Sequence, residues 1–189
     1  MVKRIDTSLI ERIRQASVEI ISEKGITGSS VAAIAKRAQV SAGYLYRHYP
    51  SKEDLVNDLL NDSLHTIAEK IDELIQQNDR IENIVEGIIG FILESANTNP
   101  HRIKFVIMLL NDFSIPNKPS VREQIIRIGE TLIEKGRESG SIRNEITVED
   151  FYIALVGIPL QYLATRFRFD FGPHDCNLDA ETRKITELS

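Results

Sequence analysis

The stretch that decides the fold is residues 25–55, GITGSSVAAIAKRAQVSAGYLYRHYPSKEDL. Serine is a residue type that caps the starts of helices, and either Ser29 or Ser30 can cap one short helix while Ser41 can cap the next. Each cap is followed by a short apolar pattern at helical spacing. Pro50 ends the second of these short helices, because the residue before a proline leaves helical space. Two short helices joined by a tight turn predict a helix-turn-helix over residues 30–49, whose second helix enters the major groove of DNA.

The rest of the chain is predicted to be helical as well. A first helix precedes Gly25, and Ser51 with Asp54 opens a long fourth helix that continues to about residue 77. Residues 114–120 contain two prolines and are interpreted as a loop. Further helices are predicted from Asp79, from Asn99 and Pro100, over residues 120–139, over residues 147–170 with a kink at Pro159, and over residues 179–189.

These patterns predict an all-α fold in two parts. Residues 1–50 form a three-helix DNA-binding domain with a helix-turn-helix, and the long fourth helix joins it to a helical domain at residues 51–189. We expect no strand and no internal repeat.

Composition indicates the class of protein. The chain has 189 residues, of which 42% are hydrophobic and 27% charged, as is usual for a soluble globular protein. Its single cysteine, Cys176, excludes an intramolecular disulfide. The most apolar stretch, residues 151–164, is shorter than the roughly 20 residues that a membrane span needs. Since the first residues do not read as a signal peptide either, we expect a cytoplasmic protein with no membrane partner.

Charge is divided unevenly along the chain. Residues 1–50 contain eight Lys/Arg and four Asp/Glu, for a net charge of +4, whereas residues 51–189 contain fifteen and twenty-four, for −9. A basic module beside an acidic remainder suits the binding of a polyanion. A segment of +4 also arises by chance, so charge alone does not decide the function.

The third helix has a face that is rich in hydrogen-bond donors. Leu45 and Tyr49 are expected to point into the core, which leaves the opposite face for DNA. Glycine costs a helix about 1 kcal/mol, and Gly43 would let the backbone approach base edges closely. The alternative is an ordinary solvated helix face. The candidate DNA-contacting residues are Ser30, Ser41, Ala42, Gly43, Tyr44, Tyr46, Arg47, His48 and Lys52.

Residues 25–55 strongly resemble the signature of TetR-family transcriptional regulators. The resemblance is carried by Gly25, Ser30-Val31, Ile34-Ala35, Val40-Ser41, Gly43, Leu45-Tyr46, Tyr49, Lys52-Glu53 and Leu55. It implies that the candidate residues above face double-stranded DNA. It also implies that the C-terminal domain binds a small-molecule effector and forms a homodimer that reads a pseudo-palindromic operator.

Three positions depart from the usual pattern of that family. Gln39 stands where a turn glycine is common, which costs about 1 to 2 kcal/mol if the backbone there is left-handed. Tyr49 replaces a common phenylalanine, and its hydroxyl needs a partner. Ala42 occupies a position that is often basic, so one DNA contact is in doubt.

The effector site implied by the resemblance has several candidate residues. Aromatic and methionine side chains cluster in the C-terminal part, and at least half of them are expected to be plain core. Polar groups nearby, including Asn111, would orient a mostly apolar molecule. The candidate ligand-binding residues are Phe91, Phe105, Met108, Asp112, Tyr152, Gln161 and Tyr162.

Other functional classes find little support. His174, Asp175 and Cys176 are adjacent, but consecutive ligands rarely converge on one metal ion, so we expect no metal site. No glycine-rich phosphate loop or nucleophile elbow occurs, so we expect neither an enzyme nor a cofactor. The sequence predicts a DNA-binding protein, and the resemblance implies a repressor that a small apolar effector releases from its operator. The alternative is a helical small-molecule-binding or signalling protein without DNA binding.

Overall fold

A computed structural model describes residues 7–78, 80–112, 119–170, 182–183 and 185–186. No strand occurs in these ranges, so the all-α prediction is confirmed. The helices are α1 (Thr7–Gly28), α2 (Val31–Arg37), α3 (Ala42–His48), α4 (Lys52–Gln77), α5 (Ile81–Thr98), α6 (Pro100–Asn111), α7 (Pro119–Glu138), α8 (Val148–Tyr152) and α9 (Ile158–Phe169), with a π-turn, Ile153–Gly157, between the last two.

Local capping sets the starts of α2, α3 and α4. The hydroxyl oxygen of Ser30 accepts from the Ala33 amide at 3.2 Å, and Ser41 and Ser51 make the equivalent bonds at 3.1 and 3.0 Å. The three predicted caps are confirmed. Helix α3 ends at His48, because Tyr49 is already extended before Pro50.

Buried side chains form two clusters. The N-terminal core contains residues of α1, α2 and α3 together with Leu55, Val56 and Leu59 of α4 and Phe105 of α6. The C-terminal core is made of aliphatic side chains from α4 to α9 and from the chain end, where Ile185 is fully buried. The connection between the two parts is therefore a shared set of helices.

The run from Val148 to Phe169 contains the predicted proline disturbance. Thr147 and Asp150 form the expected capping box at its start. Pro159 has no N–H to donate, and the helix widens into a π-turn just before it, with the Ile158 amide donating to the Ile153 carbonyl. The disturbance predicted at the proline thus takes the form of this π-turn.

Several sequence predictions fall on residues that the structure does not describe. They are the cap at Asp79, most of the loop at 114–120, the irregular stretch at 171–177 and most of the terminal helix at 179–189, of which residues 182, 183, 185 and 186 are helical. None of the helices in the described ranges combines the length and the apolar character needed to cross a bilayer.

The turn of the helix-turn-helix contains a left-handed residue. Gln39 has φ of 56°, and the amides of Gln39 and Val40 donate to the carbonyls of Lys36 and Ala35, which closes α2. A side chain in this backbone region strains the chain by about 1 to 2 kcal/mol. The strain suspected from the sequence is therefore present.

Replacing Gln39 with glycine should relieve this strain. We expect Gln39→Gly to raise the free energy of unfolding by about 1 kcal/mol in chemical denaturation. Gln39→Ala is the control, since it keeps the Cβ atom and should bring no such gain. An unchanged or lower stability for Gln39→Gly would mean that the glutamine side chain stabilises the turn by as much as the strain costs.

Candidate nucleic-acid interface

The predicted DNA-contacting residues lie on α2, α3 and the start of α4, and most of them are exposed. Tyr46 is the most notable, because it is a large aromatic residue with 52% of its surface accessible. Tyr44, His48 and Lys52 are half-buried, so their side chains also contribute to packing. The exposed side chains are available to DNA, and the half-buried ones are held in place by packing, as a rigid binding surface requires.

Three side chains of α3 hold one another in place. The Tyr44 and His48 rings lie 4.7 Å apart, and the Arg47 guanidinium carbon lies 5.7 Å from the Tyr44 ring centroid. Tyr44 also packs against the N-terminal core. Tyr44 therefore contacts both the His48 ring and the Arg47 guanidinium, and these contacts restrict the side chains at the C-terminal end of α3.

Gly43 is the residue of this surface that has no side chain. A Cβ atom built on Gly43 would have no atom within 4 Å, apart from its own helix backbone and chain neighbours. Its neighbour Ala42 is exposed. The first turn of α3 therefore offers an open approach to its backbone, as the sequence predicted for a helix that sits in a groove.

Lys52 has a second role that the sequence did not suggest. Its ammonium group donates to the carbonyl oxygens of Ile26 at 2.7 Å and Ser29 at 3.3 Å. Ile26 is in the last turn of α1 and Ser29 follows that helix, so Lys52 ties the end of α1 to the start of α4. An ammonium has three donors, and one remains for a phosphate.

A partly buried ion pair between α1 and α4 lies behind α3. Arg14 of α1 binds both carboxylate oxygens of Asp58 on α4, at 2.9 and 3.1 Å. The Tyr49 hydroxyl donates to the same carboxylate at 2.7 Å. Burial of the ring and this hydrogen bond raise the pKa of Tyr49 to about 12, while the bond to Asp58 raises the pKa of Arg14. The hydroxyl group that distinguishes Tyr49 from the phenylalanine common at this position is therefore bonded to Asp58.

The same network continues to α6. Asp62, one turn after Asp58, accepts from Arg14 at 3.2 Å and from Arg102 at 3.2 Å. Arg102 also donates to the Thr66 hydroxyl at 2.8 Å. Sequence reasoning missed these residues. A signal was present, since two carboxylates four residues apart on one helix repel unless cations join them.

A second contact joins α6 to the DNA-binding helices. The His101 ring nitrogen lies 2.7 Å from the Ser22 hydroxyl of α1. Together with Arg102, this places the first turn of α6 against both α1 and α4.

The structure does not bring all the ligand candidates together. Phe105 is fully buried in the N-terminal core and Met108 packs on it, whereas Tyr162 packs on the C-terminal core. Burial raises the pKa of the half-buried Tyr152. Phe91 and Asp112 are half-buried and Gln161 is exposed. Their role in ligand binding stays a prediction.

Comparisons with known proteins agree with this geometry. Residues 13–59 match the family model described as bacterial regulatory proteins, tetR family.

The chain is 26% identical to the fatty acid metabolism regulator protein of Bacillus subtilis (strain 168), over 72% of each chain. It is 32% identical to the transcriptional regulator UidR of Escherichia coli (strain K12), over 44% of this chain and 43% of UidR. The match to the nucleoid occlusion factor SlmA of Marinomonas, 28% identical, spans less than half of that protein, 45%.

Solved structures share the whole fold. The transcriptional regulator FadR from Bacillus subtilis, crystallised with stearoyl-CoA, superposes with a TM-score of 0.79 at 21% identity, covering 95% of this chain and 96% of that one. The fatty acid degradation regulator FadR from Bacillus halodurans gives the same TM-score at 18% identity, over 95% and 96%. At this identity the likeness shows the fold.

Adding a methyl group at Gly43 should separate stability from DNA reading. We expect Gly43→Ala to raise the free energy of unfolding by up to about 1 kcal/mol, because alanine favours the helix and nothing nearby resists it. The DNA sequences selected from a random library should change, because the methyl group occupies the approach to the bases. Gly28→Ala is the control. Identical selected sequences for Gly43→Ala and wild type would remove Gly43 from the interface.

The salt dependence of DNA binding should reveal whether Lys52 also contacts a phosphate. We expect Lys52→Ala to weaken binding to all sequences and to lower the slope of log K against log salt by about 0.9. Its stability should also fall, because two backbone carbonyls lose their donor. Arg143→Ala is the control for a general loss of charge, because Arg143 lies in the loop before α8 with 77% of its side chain exposed. Lower stability with an unchanged slope would leave Lys52 with its structural role alone.

Proposed function

We propose that this chain, whose residues 13–59 match the family model of tetR-family regulatory proteins, is a homodimeric repressor of that family, which a small apolar effector releases from a pseudo-palindromic operator. The observation that carries the proposal is the position of α6. Its residues Ile103 and Phe105 are buried in different cores, the first in the C-terminal core and the second in the N-terminal core. An effector that moves α6 must disturb both.

The packing around α6 favours a change between two distinct arrangements over a gradual one. Phe105 is completely inaccessible, and Val106 beside it contacts both cores. Close-packed interiors do not deform gradually, so a shift of α6 requires the N-terminal helices to move with it or to repack. This supports a two-state release.

The charged network connects α6 to the end of the recognition helix, α3. Arg102 of α6 holds Asp62, and Arg14 joins Asp62 to Asp58, which holds Tyr49 at the end of α3. Every link is a side-chain hydrogen bond, and the links join α1, α4, α6 and the residue that follows α3. Movement of α6 would therefore act on the end of the recognition helix as well as on the core beneath it.

The proposed effector is a fatty acyl compound. One relative is named for fatty acid metabolism, and one structural neighbour was crystallised with stearoyl-CoA. The buried residues of the C-terminal core are all aliphatic, from Ile71 to Ile185. A site lined by such side chains would suit a hydrocarbon chain.

Homodimerisation is proposed through α7 and the run from α8 to α9. A single helix-turn-helix contacts too few base pairs for a specific site, so two copies are needed. Ile153 on the π-turn is 51% exposed and Phe169 at the end of α9 is 58% exposed. Both residues lie on the run from α8 to α9, and large apolar side chains left exposed along this run favour an interface between copies.

The remaining assignments follow from this role. We propose that residues 1–50 contact DNA and that residues 51–189 bind effector and partner, although both cores draw on α4 and α6. We propose a non-enzymatic protein of the cytoplasm, where its operator lies. The alternative of a helical small-molecule-binding or signalling protein without DNA binding would share the C-terminal core but would not need the exposed surface of α3.

Release by an acyl compound tests the proposal. Operator fragments are first selected from the DNA upstream of the gene, and their affinity is then measured with and without stearoyl-CoA. We expect stearoyl-CoA to weaken operator binding, and the operator to weaken stearoyl-CoA binding by the same factor, as linkage requires. Equal operator affinity with and without stearoyl-CoA would rule out this effector, and no specific DNA binding would favour the alternative.

Two matched variants of α4 test the route within the same assay. Asp62→Asn removes the charge that joins Arg14 to Arg102, and we expect it to reduce the weakening caused by stearoyl-CoA about fivefold. Asp72→Asn is exposed on the same helix and should leave the release unchanged. Equal behaviour of the two variants would take the network out of the mechanism.

A further inference from the structure

The first turn of α6 contacts two different helices through neighbouring residues. Arg102 donates to Asp62 on α4, whereas the Nδ1 atom of the His101 ring lies 2.7 Å from the Ser22 hydroxyl oxygen on α1. The Asn99 side chain accepts from the Arg102 amide at 3.1 Å and so fixes where this turn begins. His101 and Ser22 are both half-buried, so their bond is partly shielded from water. It lies outside the charged network that joins α6 to α4.

The Ser22 hydroxyl group has two polar neighbours and a single hydrogen. Its oxygen lies 2.8 Å from the Glu19 carbonyl oxygen, which can only accept a hydrogen bond. If the hydroxyl hydrogen pointed at His101 instead, two oxygen atoms would face each other at that distance with no hydrogen between them. The hydroxyl therefore donates to the Glu19 carbonyl, and its lone pair accepts from the Nδ1–H group of His101.

This arrangement selects one form of the His101 ring. A neutral histidine carries its hydrogen on either Nδ1 or Nε2, and the hydrogen bonds around the ring decide which. Free histidine in water favours Nε2–H, whereas the bond to Ser22 requires Nδ1–H. The contact between α6 and α1 therefore leaves a signature that can be measured on the ring itself.

Ser22 lies near the point where α1 leads into the helix-turn-helix. It is one turn before Gly25, whose φ of 76° interrupts the helix. Glu19, whose carbonyl accepts from Ser22, binds the Arg37 guanidinium of α2 through its carboxylate at 2.8 Å. His101 is thus connected to α2 through α1, whereas the charged network connects α6 to the end of α3 through α4.

We propose that His101 is a positioning residue for operator binding, which holds the end of α1, and with it α2, through its Nδ1–H bond to Ser22. The charged network holds the end of α3, so the first turn of α6 sets both helices of the helix-turn-helix. The inference rests on the proposed function and names a contact through which α6 regulates it. The exposed pair of Glu19 and Arg37 contributes little energy of its own, and the position of α1 decides where it forms.

Nitrogen NMR of the full chain, labelled at histidine, tests the form of the ring. The chain has four histidines, and comparison with the spectrum of His101→Asn identifies the signals of His101. In alkaline buffer, where histidine rings are neutral, we expect the wild type to show Nδ1–H. Ser22→Ala should shift the signals towards Nε2–H. An Nε2–H ring in the wild type would overturn the proposal.

The affinity of matched variants for the selected operator fragments tests the positioning role. Asparagine places an amide donor near the position of Nδ1, whereas the longer glutamine places it near the position of Nε2. We expect His101→Gln and Ser22→Ala each to weaken operator binding about fivefold, and His101→Asn to keep most of the affinity. Affinity for random DNA should stay at the wild-type value. His65→Gln is the control, because the side chain of His65 on α4 is 72% exposed.

The double variant with His101→Gln and Ser22→Ala should bind operator no more weakly than either single variant, because both changes remove the same bond. Additive losses, or equal affinities of His101→Asn and His101→Gln, would overturn the positioning role and leave the proposed function in place. A lower unfolding midpoint with unchanged operator affinity would do the same, because the bond would then be structural alone. Failure of the wild type to bind any operator would overturn the proposed function and the positioning role together, although NMR would still decide the form of the ring.

Discussion

Insertion of the Phe105 side chain into the N-terminal core is the contact on which the rest of the structure depends. The three N-terminal helices, of which α2 and α3 have only seven residues each, form a small core, and small cores are marginal in stability. The ring of Phe105, which is fully buried, completes that core from a helix some fifty residues further along the chain. The packing of the DNA-binding helices therefore depends on α6. The same helix contributes Ile103 to the C-terminal core.

The charged network adds specificity to this packing. Asp58 and Asp62 each accept from more than one partner, so α1, α3, α4 and α6 share a single set of hydrogen bonds. Partly buried pairs of this kind contribute little net stability, but they penalise any arrangement that leaves one carboxylate without its cation. They thereby restrict α4 and α6 to a few relative positions. Such restriction is what an effector needs in order to alter DNA binding at a distance.

Features set by neighbouring residues were predictable from the sequence, and features set by distant contacts were not. The caps at Ser30, Ser41 and Ser51 and the strained turn at Gln39 are local, and the structure confirms them. Phe105 and Lys52 make contacts with residues far away in the sequence, which the sequence alone did not predict. A sequence identifies a phenylalanine on an apolar helix face, but only the packing of α6 against α1 directs it into the N-terminal core. Lys52 was expected to face phosphate, and its bonds to two distant carbonyls appear only when the turn after α1 is in place.

The central claim is that α6 and the DNA-binding helices form one cooperative unit. Native-state hydrogen exchange of the full chain, measured over increasing denaturant, tests it most directly. The account predicts that the most protected amides of α1, α4 and α6 exchange through the same opening, with one free energy and one denaturant dependence. Exchange of α1 to α3 through a separate opening of lower free energy, with α6 still protected, would contradict it.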